Sequence, residues 1–360
     1  MNIQQIVTRF SLCLLALCTL AVAPTFAQTI THVPLFTFDG ASADDQFGIS
    51  VRGAGDVNGD GFADLIVGAQ SDGTGSARVF SGSDGSVLHS FFGDSASFLF
   101  GSSVSGAGDV NGDGLDDVIV GSIVVDNGAR VFSGSDGSVL YNFDGFTVSG
   151  AGDVNGDGVP DLISGELFAT NSNGEASGIA NVFSGADGSV LFSFDGDSGG
   201  DRFGESVSGA GDVNGDGFAD LIVGAPLDEN NGTNSGSARV FSGSDGSVLY
   251  IFDGDTAGDE FGGSVSGAGD VNGDGVDDFI VGARNGGAFN GGYSRVFVSQ
   301  VTASVLLGDA NLDGEVTFLD INPFIQLLAS STFLEEADCN EDGFLNFLDI
   351  APFIAILAAQ

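Results

Sequence analysis

The stretch Gly53-Ala54-Gly55-Asp56-Val57-Asn58-Gly59-Asp60-Gly61-Phe62-Ala63-Asp64 returns almost letter for letter at 106–117, 150–161, 209–220 and 267–278. A chain that repeats one twelve-residue phrase five times must repeat one structural unit. Counted from the first aspartate, each copy sets a side-chain oxygen at positions one, three, five and nine. These are Asp56, Asn58, Asp60 and Asp64; Asp109, Asn111, Asp113 and Asp117; Asp153, Asn155, Asp157 and Asp161; Asp212, Asn214, Asp216 and Asp220; and Asp270, Asn272, Asp274 and Asp278. Hard cations take six to eight oxygens from a flexible loop, so the spacing points to Ca²⁺. Glycine after the third ligand lets the backbone turn sharply.

The first aspartates are 53, 44, 59 and 58 residues apart, close to the period of a propeller blade. Each period reads as four strands. Phe203–Gly211 typifies the first, and Asp64-Leu65-Ile66-Val67-Gly68 the second. Ala77-Arg78-Val79-Phe80 gives the third and Val87-Leu88-His89-Ser90-Phe91-Phe92 the fourth, with an Asp84-Gly85 hairpin signal between them. Unbroken apolar runs imply strands covered on both faces, as when sheets stack. The predicted fold is mainly β: a propeller of about five four-stranded blades over 28–303. Leu35-Phe36-Thr37-Phe38-Asp39-Gly40 matches a fourth strand and is expected to complete the last blade and close the ring; Val305-Leu306-Leu307 is the rival for that place. The third copy is shortened at its entry, and Pro160 precedes its second strand, where a lost amide donor is tolerable. The metal loop and the 3–4 hairpin fall at one end of each blade. The 2–3 and 4–1 connections, variable in length and sequence, fall at the other and form a candidate binding surface.

Fifty acidic residues against eight basic ones give a formal charge of −42, which argues against nucleic acid or an anionic membrane as partner. Much of the acidity is accounted for by the loop aspartates. Sixty glycines imply many tight turns, and 42% hydrophobic content excludes wholesale disorder. Residues 1–27 read as a secretory signal, with Arg9, an apolar run and a small-residue cleavage site at Thr25-Phe26-Ala27. Cys13 and Cys18 would leave with it, so Cys339 is the one remaining thiol and no internal disulfide is expected. No second long apolar run follows, so no membrane span is expected after signal removal, and the expected location is secreted, extracellular or cell-surface.

The pairs Phe47-Gly48, Phe203-Gly204 and Phe261-Gly262, each followed by Gly-Ala-Gly and the Asp-x-Asn-x-Asp-Gly-x-x-Asp loop, resemble FG-GAP repeats, the family that includes the integrin α-subunit propeller. The resemblance covers about 34–298. It implies a β-propeller, Ca²⁺ in about five loops, and adhesion or recognition through the variable face.

Composition shifts near Leu307, and 304–360 reads as a second module. Asp309, Asn311, Asp313, Thr317 and Asp320 stand at positions one, three, five, nine and twelve of one loop, and Asp338, Asn340, Asp342, Asn346 and Asp349 repeat the pattern. An apolar helix-like run with proline in its first turn follows each, at Pro323 and Pro352. No convincing helix precedes either loop, and position twelve is Asp instead of the Glu of an EF-hand. The duplication resembles a type I dockerin, which implies a small α-helical domain, two more Ca²⁺ ions and docking to a cohesin-type partner. Partner choice in dockerins rests partly on loop positions ten and eleven, here Phe318-Leu319 and Phe347-Leu348; these apolar pairs are expected to pack the module's own core.

No nucleophile motif, zinc cluster or phosphate loop is present. His89 replaces Tyr141, Phe192 and Tyr250 at a repeated strand position and reads as packing, and His32 adjoins the cleavage site. The expected function is calcium-dependent recognition or adhesion, with an extracellular protein or glycan as ligand and no enzymatic activity. The alternative is an extracellular polysaccharide-acting enzyme or its accessory subunit, for which Asp228, Glu229, Glu166, Glu175 and Arg284 are the irregular charges to inspect.

Overall fold

A computed structural model of the chain describes residues 34–94, 99–122, 128–171, 175–287 and 291–299. The expected signal, His32, Val305–Leu307 and the whole second module with its ten ligand positions and Cys339 lie outside these residues. Two units are distinguished, 1–39 and 40–360. In the first, residues 34–39 form no strand, and the Phe36 and Phe38 rings lie 6.0 Å apart.

The second unit is all strand in its described residues. It contains β1 (Phe47–Gly55), β2 (Asp64–Ala69), β3 (Ser76–Phe80), β4 (Val87–Phe92), β5 (Ser103–Gly108), β6 (Asp117–Gly121), β7 (Ala129–Phe132) and β8 (Val139–Phe143). It continues through β9 (Thr147–Gly152), β10 (Asp161–Glu166), β11 (Ile179–Phe183), β12 (Val190–Asp195), β13 (Ser206–Gly211), β14 (Asp220–Ala225), β15 (Ser237–Phe241) and β16 (Val248–Asp253). The last three are β17 (Phe261–Gly269), β18 (Asp278–Ala283) and β19 (Tyr293–Phe297). They form five antiparallel meanders in chain order, four of four strands and a last of three. Each first strand carries a bulge at its Gly-Ala-Gly, such as between Gly53 and Gly55, that bends it into the loop.

The reading of five antiparallel units is borne out, four of them with the four strands expected and the last with three among the described residues. Residues 34–40 form no strand, and among the described residues β19 pairs only with β18. The sheets are packed one against the next. There is no core within a sheet. Instead, four apolar clusters each join consecutive sheets: Ala54, Val57, Ile66, Ala77 and Val79 of the first pack on Val104, Val118, Val120 and Phe132 of the second, and so on along the chain. A fourth-strand phenylalanine of each of the first four sheets meets a third-strand phenylalanine of the next at 4.0 Å between centroids: Phe91 stacks on Phe132, Phe143 on Phe183 and Phe194 on Phe241, and Phe252 is tilted against Phe297. Backbone approach is equally tight. A Cβ on Gly68, Gly165 or Gly224 would stand 2.0 Å from the carbonyl of Gly101, Gly204 or Gly262 in the following sheet. These contacts fix the step between sheets, and after five sheets the first and last still have uncovered faces: Val51 of β1 is 54% exposed and Val296 of β19 49%.

Candidate metal-binding loops

Each repeated loop spans the turn from a first strand to a second. In the first, Asp56 Oδ1 accepts the Gly59 and Asp60 amides at 2.8 and 3.1 Å, and Oδ2 accepts Gly61 N at 2.9 Å. Asn58 Oδ1 accepts Asp60 N, and Asp60 Oδ1 accepts Phe62 N, both at 2.9 Å. The left-handed turns that aim these amides inward fall on Gly59 (φ 74°) and Gly61 (φ 86°), where a side chain would strain the backbone. Asp109, Asp153, Asp212 and Asp270 repeat the pattern.

Position nine differs in kind. Asp64, Asp117, Asp161, Asp220 and Asp278 open the second strands and are fully buried. Asp64 Oδ2 accepts Val57 N and Oδ1 accepts Gly82 N, both at 2.9 Å, so one carboxylate ties the loop to the 3–4 hairpin. This bond also places loop and hairpin at one end of the sheet, as expected. Burial pushes Asp117 and Asp220 up to about 6 and raises Asp161, because the backbone amides that favour the anion do not fully replace water. At position five the trend reverses. A hydrogen bond from the Ser83 hydroxyl holds Asp60 below the usual carboxylate range, and Ser135 does the same for Asp113. Neighbouring loops are also linked: Asp116 N donates to Asp56 O at 3.1 Å while Asp116 Oδ2 accepts Asp56 N at 2.7 Å, and Asp277 grips Asp212 likewise. Pro160, at the same place in the third loop, has no amide to give Asp109.

The donor set is all oxygen, half-buried at position one in the first four loops and exposed at position five in all five, and its chemistry suits a hard cation. Among the described residues, however, no three His, Cys, Asp or Glu side chains converge as a metal cage. The same oxygens are turned onto backbone amides. The structure thus shows loops whose aspartates already hold the turn through their own backbone amides.

Opposite the loops stands a constellation that sequence reading missed. Arg78, Arg130, Arg239 and Arg295, one on each third strand except β11, lie 5.3–5.8 Å over the rings of Phe47, Phe100, Phe203 and Phe261. Each also meets a carboxylate: Asp72 at 3.7 Å, Asp94 at 2.6 Å, Asp197 and Asp228, and Asp255. The third sheet lacks the phenylalanine, and there Asn181 replaces arginine and donates to Glu166 at 3.0 Å. The signal was available: Ala-Arg-Val-Phe recurs, and changes to Ala-Asn-Val-Phe only where Phe-Gly is lost.

Three of the five irregular charges, Asp228, Arg284 and Glu166, have side-chain partners. Asp228 is buried, accepts the Ser237 hydroxyl at 2.7 Å and faces Arg239. Arg284 pairs with Glu205 and Glu260. Glu166 is raised by burial and is engaged with Asn181; Glu175 donates its amide to Asn171. Asp228 and Glu229 border a cleft of about 370 Å³ between 198–201 and 227–234. His89 stacks on Phe91 at 5.7 Å and its Nε2 bonds the Gly134 carbonyl, which bears out a packing role.

Residues 47–88, 203–241 and 261–298 match the FG-GAP repeat family, and residues 307–357 match the dockerin type I domain. The chain carries FG-GAP repeats and a dockerin type I domain. The three matched FG-GAP repeats are the first, fourth and fifth sheets; the second and third are read as units from the same loops and strands. Among curated proteins, integrin alpha-2 of Bos taurus is 32% identical over 135 residues, 35% of this chain and 11% of that one. Integrin alpha-7 of Rattus norvegicus is 40% identical over 87 residues, and integrin alpha-3 of Cricetulus griseus 38% over 85, each match covering 8% of the integrin. The FG-GAP chain therefore spans about a tenth of the length of the curated relatives it matches. Among the described residues no helix is long and apolar enough to cross a membrane.

Proposed function

We propose that this protein is an extracellular, calcium-dependent recognition or adhesion module, its FG-GAP sheets binding a protein or glycan and its dockerin domain docking to a cohesin-type partner. The observation that carries the reading is the pairing, in one chain, of FG-GAP repeats with a dockerin type I domain. Two features of the sheets support it. The loop end is nearly invariant across the five units, and the opposite end varies in every connection, which is how a rigid scaffold presents a binding surface. In this reading Asp, Asn and Asp at positions one, three and five of each loop, with the position-nine carboxylate behind them, hold Ca²⁺, and Asp309 to Asp320 and Asp338 to Asp349 hold two further ions. The ion supplies positive charge to a loop that otherwise has none. Capture of partners from the source's surface fraction, with and without Ca²⁺, tests the proposal; capture that ignores chelation counts against it.

A polysaccharide-acting enzyme is the second reading, favoured only by the cleft beside Asp228 and Glu229. Glycan binding combined with an activity assay separates the two. Binding without turnover supports recognition, and product release replaces it with catalysis.

A further inference from the structure

Both end faces of the sheet stack retain the residues that elsewhere join one sheet to the next. On the face that receives a following sheet, Val57, Val110, Val154 and Val213 are at most 4% exposed, while their counterpart in the fifth sheet, Val271, is 59% exposed. Val79, Val131, Val182 and Val240 are fully buried, and their counterpart Val296 is 49% exposed. The glycines agree. A Cβ on Gly55, Gly152 or Gly211 would strike the following sheet within 2.8 Å, whereas one on Gly269 meets nothing within 4 Å. On the opposite face, the first sheet shows the complementary pattern. Val51 and Leu65 are 54% and 39% exposed, against 1% for Val104 and Val118, and a Cβ on Gly53 meets nothing where Gly106, Gly150, Gly209 and Gly267 touch the preceding sheet.

We propose that these two faces form one heterologous interface and that a second copy of this chain occupies it, its first sheet packing on the fifth sheet of its neighbour. The contact required already occurs four times within the molecule, between the same kinds of residue on the same strands. Both faces are exposed in one and the same chain, so the chain does not use one to cover the other. A like-on-like, two-fold pairing would set a receiving face against a receiving face and lose that fit; head-to-tail packing keeps it, and builds rings or filaments. The apolar side chains are also those that a monomer would have no reason to keep bare.

The test is sedimentation velocity of the full-length mature protein, in calcium-containing buffer, over rising concentration. The wild type is expected to gain mass with concentration. V51D and V296D, each changing an already exposed residue, are expected to retain the wild-type circular dichroism and to weaken association by about 30-fold or more, as for a central interface residue. An equimolar mixture of the two variants leaves one intact pair of faces, and is expected to form dimers and stop there. The proposal is overturned if the wild type is monomeric up to about 100 μM, where even a weak interface would show. It is also overturned if either variant assembles like the wild type, or if the mixture stays monomeric. A monomeric V296C protein whose new thiol, compared with the wild type's Cys339 alone, resists thiol reagents would identify closure within one chain instead.

Discussion

Replacing Arg239 by alanine should cost far more than the same change at Arg295, although both sit at the same place in the repeat. Arg239 and Asp228 are each only 7% exposed, and Arg239 Nη1 also bonds Asp197 at 3.0 Å. Removing the guanidinium leaves Asp228 buried with its Ser237 and Asn230 bonds but no countercharge. Breaking a buried pair in this way costs about 3–5 kcal/mol. The stack over Phe203 at 5.3 Å is included in that sum, at about 1–2 kcal/mol for a desolvated ring. Arg239 Nε has no partner, which places the expectation toward the lower end. Arg295 is 38% exposed and its partner Asp255 58%, so solvent screens the pair and the loss should be about 1 kcal/mol, mostly the ring contacts with Phe261 and Tyr293. R239K should fall between, keeping the charge but losing the two-pronged bond to Asp197. Urea unfolding of the three variants, followed by circular dichroism, measures the difference. Equal losses for R239A and R295A, or an R239K indistinguishable from wild type, would refute the argument that burial of Asp228 decides the cost.

Glycine at the end of the second strand gives a second contrast. G224A should destabilise by several kcal/mol, because the added Cβ would meet Gly262 O at 2.0 Å, whereas G282A, with its nearest neighbour at 3.7 Å, should stay within about 0.5 kcal/mol in the same unfolding assay. Chelation with EGTA should lower the melting temperature of the intact protein, since an ion held at 100 times its dissociation constant contributes about 2.7 kcal/mol per site; a melt unchanged by chelator would refute the ligand assignment. The chelated protein should also respond to pH in an unusual sense. Asp117 and Asp220 are raised to about 6 in the fold, so their stabilising share is complete below the ordinary carboxylate range and is lost as pH climbs through about 6. The whole linkage is worth about 3 kcal/mol per site, of which about 1 kcal/mol is lost between pH 5 and pH 7, so the metal-free protein should melt higher at pH 5 than at pH 7. Melting curves that are flat or rise with pH would contradict it.

Most of the fold was legible because the repeat is written in residues with narrow uses. Asp-x-Asn-x-Asp-Gly marks each first turn, the Asp64 to Gly68 run marks a strand covered on both sides, and Asp84-Gly85 marks the hairpin; the strands observed begin and end within three residues of those readings. The spacing presents position nine as one ligand among four, yet Asp64 is the fully buried tie between loop and hairpin. Spacing reveals that an oxygen recurs but not which amides surround it. The arginine–phenylalanine pairs were hidden for a related reason: Arg239 and Phe203 are 36 residues apart, and only their joint loss in the third unit links them.

Since every apolar cluster is shared by two neighbours, the natural unit of inheritance here is a joint and not a blade. Excising one interior repeat would bring together two surfaces that already know how to mate, and duplicating one would add a joint of the existing kind. Such an array can lengthen or shorten in whole steps across generations without designing anything new, and its outermost members should be the first to fray.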